Sequence, residues 1–301
     1  MRKILLAVLV LLVSSFQLLA QQPAWQPALG NLTLDLWPHG APGAASSAGP
    51  EVNESTAKDN IAGRPIIRLG HVSNPTITVY APKENPSGQA VVVFPGGGYA
   101  ILAIDLEGTE ICEWLNSIHV TCVLLKYRVP NSGPYPKSPA ALQDAQRAVG
   151  VRAHAAEWHI RPDRIGVLGF SAGAHLAAAL STHFDQRIYD VVDAADKVSC
   201  RPDFALIIYP GYLAISQQNF AFNPDLHITT QTPPSFLIQA EDDFAHVENS
   251  LLYYRALKDA GVPAEMHLYA KGGHGYGIRP TALPITHWQH LAATWLQGLQ
   301  N

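Results

Sequence analysis

Cysteine, charge and long apolar runs are all scarce in this chain, and each shortage narrows what it can be. Only 15% of its 301 residues are charged, 20 basic against 24 acidic, for a net charge of −4. A mildly acidic surface gains nothing from a polyanion, so nucleic acid is not an expected partner. Cys112, Cys122 and Cys200 are the only cysteines. An odd count with no C-x-x-C excludes a disulfide framework and a four-cysteine zinc site. One bridge stays open in an oxidising compartment. Cys112 falls in a helical stretch and Cys122 in an apolar strand, and both read as small buried hydrophobes. His154 and His159 lack H-E-x-x-H spacing, so no metal site is expected there.

The one long apolar run is at the start. Arg2 and Lys3 precede an unbroken apolar stretch over 4–13, and Ala20 gives a cleavage position before Gln21. That pattern predicts a signal peptide over 1–20, because the run is too short to span a bilayer comfortably. No later stretch reaches membrane length and no cysteine follows the cleavage position, so no membrane anchor is expected. The mature chain, 21–301, is expected to be soluble in the periplasm or outside the cell, and its length suits one catalytic domain.

What is present is a set of strand-end motifs. From residue 90 onward apolar strands alternate with helical stretches, which predicts an α/β fold with a mostly parallel sheet and helices on both faces. Upstream, 66–72 and 75–80 read as an antiparallel hairpin region. Gly-Phe-Ser-Ala-Gly at 169–173 follows one apolar strand and opens an alanine-rich helix. In that context G-x-S-x-G is a nucleophile elbow, with small residues beside Ser171 permitting a turn too tight for larger side chains. A serine hydroxyl needs a base and an orienting acid. The strand over 236–240 ends in Glu241-Asp242-Asp243, and Asp242 is the chosen acid. The strand over 264–270 runs into Lys271-Gly-Gly-His-Gly-Tyr-Gly277, which makes His274 the base. The order Ser, Asp, His, each after a strand, is that of α/β-hydrolases.

A fourth motif lies upstream, where the strand over 90–94 breaks into Pro95-Gly-Gly-Gly-Tyr99. Its glycines expose backbone N–H groups, and Gly97 and Gly98, with Ala172 after the nucleophile, form the expected oxyanion hole. The competing phosphate-loop reading fails because G-x-G-x-x-G is incomplete and no G-K-[ST] follows. No cofactor is expected.

Pro95-Gly-Gly-Gly-Tyr99 through Glu107-Gly108, Leu125-Lys-Tyr-Arg128, Gly169-Phe-Ser-Ala-Gly173 and Gly272-Gly-His-Gly275 together resemble the secreted bacterial α/β-hydrolases of the acetylxylan or hemicellulose esterase type, near the bifunctional feruloyl and acetylxylan esterases. The resemblance runs from about residue 36 to the C-terminus. It implies deacylation of plant cell-wall polysaccharide or its oligomers, with Ser171, Asp242 and His274 on the family's triad. Neutral xylan also suits the acidic surface better than a strongly anionic polymer. Two departures stand out: Val-Pro does not follow the acid, and Ala174 replaces a common glycine.

About 26 residues separate the strand ending near 209 from the one at 236, too few for a large helical cap, so the cleft should be open. Tyr99, Tyr212 and Tyr276, with Phe244, are candidates for flat faces against sugar rings. His175, one turn after Ser171, reads as structural. Asp144 and Arg147 read as an ion pair or loop anchor. The competing functions are a feruloyl or general short-chain carboxylesterase and, from a different class, an inactive hydrolase fold used for binding. A peptidase of prolyl-oligopeptidase type has no room here for its propeller.

Overall fold

The computed structural model describes residues 24–43 and 49–299. The expected leader at 1–20 lies outside them. Among the described residues, eight strands form the main sheet: β1 (Leu32–Asp35), β2 (Thr76–Tyr80), β3 (Ala90–Phe94), β4 (Thr121–Lys126), β5 (Ile165–Phe170), β6 (Ala205–Ile208), β7 (Ser235–Ala240) and β8 (Ala264–Tyr269). Their spatial order is β1-β2-β4-β3-β5-β6-β7-β8. β2 pairs antiparallel with both β1 and β4, and every later neighbour is parallel.

Every residue of β3, β5, β6 and β7 is buried, which a strand shows only when both faces are covered. The cover comes from α1 (Glu110–Ser117), α2 (Ala140–Ala148), α3 (Ala172–Thr182), α4 (Glu248–Asp259) and α5 (Trp288–Gly298). α3 is buried from Ala172 to Ser181, because its alanines let the helix lie close to β5 and β6. α1 and α5 meet through Trp114 and Trp288, whose rings are 5.4 Å apart. α4 buries Asn249, Ser250, Tyr253 and Leu257 and turns Leu251 outward, so its inner face is more polar than an apolar stripe would suggest.

The order places the site. β3 and β5 are parallel neighbours with Phe94 opposite Gly169, so the loop after β3 and the elbow after β5 leave the sheet side by side. β6, β7 and β8 follow in sequence, and the loops at their C-terminal ends share that edge. Such a crevice, where the strand order reverses, is where ligands bind in open α/β sheets.

Three local expectations change. Cys112 and Cys122 are joined in a disulfide linking α1 to β4, not two free buried thiols, while Cys200 is free and buried. Arg68–Gly70 pairs with Val52–Asn53 and Leu102–Ala103, not with the strand at 75–80. Asp144 and Arg147 do not bond to each other: Asp144 holds Arg128 and the Trp37 indole, and Arg147 holds Asp193 and Asp196. Both are anchors for surrounding loops. Between β6 and β7 the chain forms only a small hairpin, Ala214–Ile215 with Ala221–Phe222, consistent with a small cap.

Candidate active site

Ser171 sits between β5 and α3 with φ 53° and ψ −116°, a strained conformation for a residue with a side chain. Both motif glycines are needed for it. A Cβ on Gly169 would fall onto the carbonyl of Gly173, and one on Gly173 onto the carbonyl of Phe94. The turn holds the hydroxyl out toward the loop after β8. There Ser171 Oγ lies 2.7 Å from His274 Nε2. His274 Nδ1 lies 2.8 and 2.9 Å from the two carboxylate oxygens of Asp243.

The acid is thus the neighbour of the expected one. Asp243 is fully buried, accepting from Gln239 Nε2 at 2.8 Å and Ala245 N at 2.7 Å, and Ser250 Oγ fixes Gln239 by donating to its carbonyl. Asp242 faces outward instead. Its Oδ1 accepts the N–H groups of Gly273 at 2.8 Å and Gly272 at 2.9 Å, and these bonds hold its carboxyl below the usual range. The turn after β7 sends consecutive carboxylates to different tasks: Asp243 aims the imidazole, and Asp242 shapes the loop that carries it.

The glycine loop after β3, where the oxyanion donors are expected, is packed as closely. A Cβ on Gly96 would lie 2.7 Å from a Glu107 carboxylate oxygen and 2.9 Å from Ser171 Cβ. Gly97 has φ 132° and Gly98 φ 64°, and both line the same cavity as Ser171 and His274. Ala172 is the first residue of α3, so its N–H has no acceptor within the helix. Gly97 and Gly98 thus border the cavity that Ser171 lines, and Ala172 follows Ser171 in the chain. The cavity is about 650 Å³ and open.

Residues 91–223 match a family model described as the alpha/beta hydrolase fold. The chain is 33% identical to a crystallised acetyl ester-xyloside bifunctional hydrolase from Caldicellulosiruptor lactoaceticus, over 83% of this chain and 96% of that one, with a TM-score of 0.65. The chain belongs to the α/β-hydrolase family. Curated relatives include an acetylxylan esterase of Xylanibacter ruminicola, 33% identical over 210 residues, which are 65% of this chain and 42% of that protein. An endo-1,4-beta-xylanase B of Butyrivibrio fibrisolvens is 27% identical over 68% of this chain and 35% of its own length. The α/β hydrolase spans less than half the length of both.

Of the three tyrosines expected at substrate, only Tyr212 reaches the cavity, at 42% exposed. Tyr99 is buried, its hydroxyl 2.6 Å from His175 Nδ1. That bond latches the glycine loop after β3 to α3, and burial pulls the His175 pKa down to about 4. Tyr276 is buried against Tyr209, with ring centroids 4.5 Å apart. Phe244, 78% exposed, covers the His274 ring at 4.7 Å.

The cavity also takes residues that motif reading missed. One wall is Lys58, Asp59, Asn60, Ile61, Ile66 and Arg68, from the segment that leads into Arg68–Gly70. The buried Arg279 holds that segment, donating to the carbonyls of Ile61 and Arg64 while bonding to Asp105 and Glu110. The long stretch over 39–64, rich in Gly, Pro, Ala and Ser, reads from its length as functional or mobile, but its partner, Arg279, lies over 200 residues away. The buried Glu107 was missed as a separate feature, although it lies inside the Pro95 to Gly108 motif.

Proposed function

We propose that this chain is a serine carbohydrate esterase that removes acetyl groups from xylan-like polysaccharide or its oligomers through an acyl-enzyme. The observation that carries the reading is the continuous chain Asp243–His274–Ser171 at the mouth of a cavity bordered by Gly97 and Gly98. Ser171 Oγ attacks the acyl carbonyl carbon as its proton passes to His274 Nε2, and Asp243 holds Nδ1–H and compensates the imidazolium. The negative charge that develops on the carbonyl oxygen is met by the N–H groups of Gly97, Gly98 and Ala172, each worth about 3 to 4 kcal/mol in such a role. As the C–O bond breaks, the imidazolium protonates the sugar oxygen. A water then gives its proton to the same imidazole and attacks the acyl-enzyme, releasing acetate and restoring Ser171.

The acetyl and xylan parts of this reading draw support from the relatives' names and from the open, small-capped cleft. A feruloyl reading keeps one observation of its own: Phe244 beside His274 offers an aromatic face at the cavity rim. The test is release of acetate from acetylated xylan compared with release of ferulate from feruloylated arabinoxylan. Acetate release with little ferulate release is expected, and the reverse ranking would transfer the assignment to the feruloyl reading. We further propose export of the mature chain, supported by the sequence of 1–20 and by a Cys112–Cys122 bridge that suits an oxidising compartment.

A further inference from the structure

Behind the nucleophile, one buried carboxylate touches both loops that the chemistry needs. Glu107, at 3% exposure, accepts the Gly96 N–H at 2.7 Å on one oxygen and the Tyr209 hydroxyl at 2.7 Å on the other. Tyr209 Oη in turn accepts the N–H of Gly277, three residues after His274, at 3.1 Å. A single relay therefore runs from the loop bearing Gly97 and Gly98 to the loop bearing His274.

The chemistry of the relay gives it a direction. Gly96 and Gly277 offer only N–H donors, so the Tyr209 hydrogen must go to Glu107, and both Glu107 oxygens serve as acceptors. Tyr209 is itself held in place. It has φ 37°, its N–H bonds to Ile238 O at 2.8 Å, and its ring lies 5.1 Å from that of His274. Burial raises the Glu107 pKa, while the bonds from Tyr209 and Gly96 and the nearby His274 and Arg68 favour the charged form. Such a carboxylate is expensive to bury, and a purely apolar core would fill the space without that cost.

Resting on the serine-esterase reading, we propose that Glu107 and Tyr209 are positioning residues that fix the oxyanion loop and the His274 loop relative to each other. Neither takes part in a bond-making step. The geometry they maintain is needed when negative charge builds on the substrate oxygen, more than when substrate first binds.

Glu107→Gln keeps the side-chain volume but faces one of the two donors with an NH2 group. Tyr209→Phe keeps the ring and deletes only the hydroxyl. With p-nitrophenyl acetate, Glu107→Gln is expected to lower kcat by about 10- to 100-fold with KM within about threefold, the pattern of a lost transition-state interaction. A small boronic acid, which forms a tetrahedral adduct on the serine, should bind more weakly in the same proportion, and the unfolding midpoint should move by only a few degrees. Tyr209→Phe should lower kcat by about 5- to 20-fold with KM unchanged, and it decides the matter if Glu107→Gln does not fold. Wild-type kcat in Tyr209→Phe, or boronate affinity unchanged in both variants, overturns the proposal. A wild-type chain that hydrolyses no ester and takes no fluorophosphonate label fells the serine-esterase reading and this inference with it; an active wild type with unaffected variants fells this inference alone.

Discussion

Asp242 and Asp243 stand one peptide apart and behave as different residues. Asp243→Asn should leave the fold intact and reduce kcat by roughly 10⁴-fold, because the amide would favour the wrong imidazole tautomer. Asp242→Asn loses the charge and the pairing with Lys271 but keeps an oxygen that can accept from Gly272 and Gly273, and should stay within about tenfold of wild type. Steady-state kinetics of the pair checks this, and the ranking fails if Asp242→Asn is the worse variant. The sequence placed a carboxylate at the end of β7 but not which one, since the regular alternation of a strand stops where the turn begins. His175 brings a second residue-scale expectation. Its pKa is about 4 in the folded chain and about 6.5 when unfolded, so between those values the unfolded chain binds more protons. The stability this gives is fully present above about pH 6.5 and is lost as pH falls toward 4, the loss reaching about 2 to 3 kcal/mol at pH 4.5. Urea unfolding at pH 7 and 4.5 should therefore show a smaller acid loss for His175→Gln than for wild type; equal losses would contradict it.

At the scale of elements, the sequence was most legible where one motif sits on one strand end. The elbow, the glycine loop and the His274 loop all appear where their flanking apolar runs put them. Pairings between elements were not legible. Cys112 and Cys122 were read one at a time, in a helix and in a strand, and nothing local shows that the turn between α1 and β4 brings them together. The bridge spans a separation of only 10 residues, so chain entropy gives it about 2 to 3 kcal/mol. The paired variant Cys112→Ala, Cys122→Ala should lose at least that much in denaturant unfolding while keeping kcat within about twofold. A large drop in kcat without loss of stability would mean that the bridge serves the site directly. The tyrosines failed for a related reason: Tyr99 and Tyr276 do follow strand ends, but the tight loops there turn them inward to pack.

For the molecule as a whole, alternation of strands and helices was enough to give a mostly parallel sheet, whereas the cavity wall over 58–68 was not foreseeable. It depends on Arg279, near the end of the chain, reaching back to the carbonyls of Ile61 and Arg64 across Asp105 and Glu110. Arg279→Met should cost about 3 to 5 kcal/mol in denaturant unfolding, because Asp105 loses its ion-pair partner and Glu110 is left with the exposed Arg64. A change below about 1 kcal/mol would show that the wall is held by other means. The kinetic expectations depend on Ser171 being the nucleophile of an ester hydrolase. The most direct test is peptide mass mapping after reaction with a fluorophosphonate. The account predicts a single adduct on Ser171, absent in Ser171→Ala; no adduct, or an adduct on another residue, would contradict it.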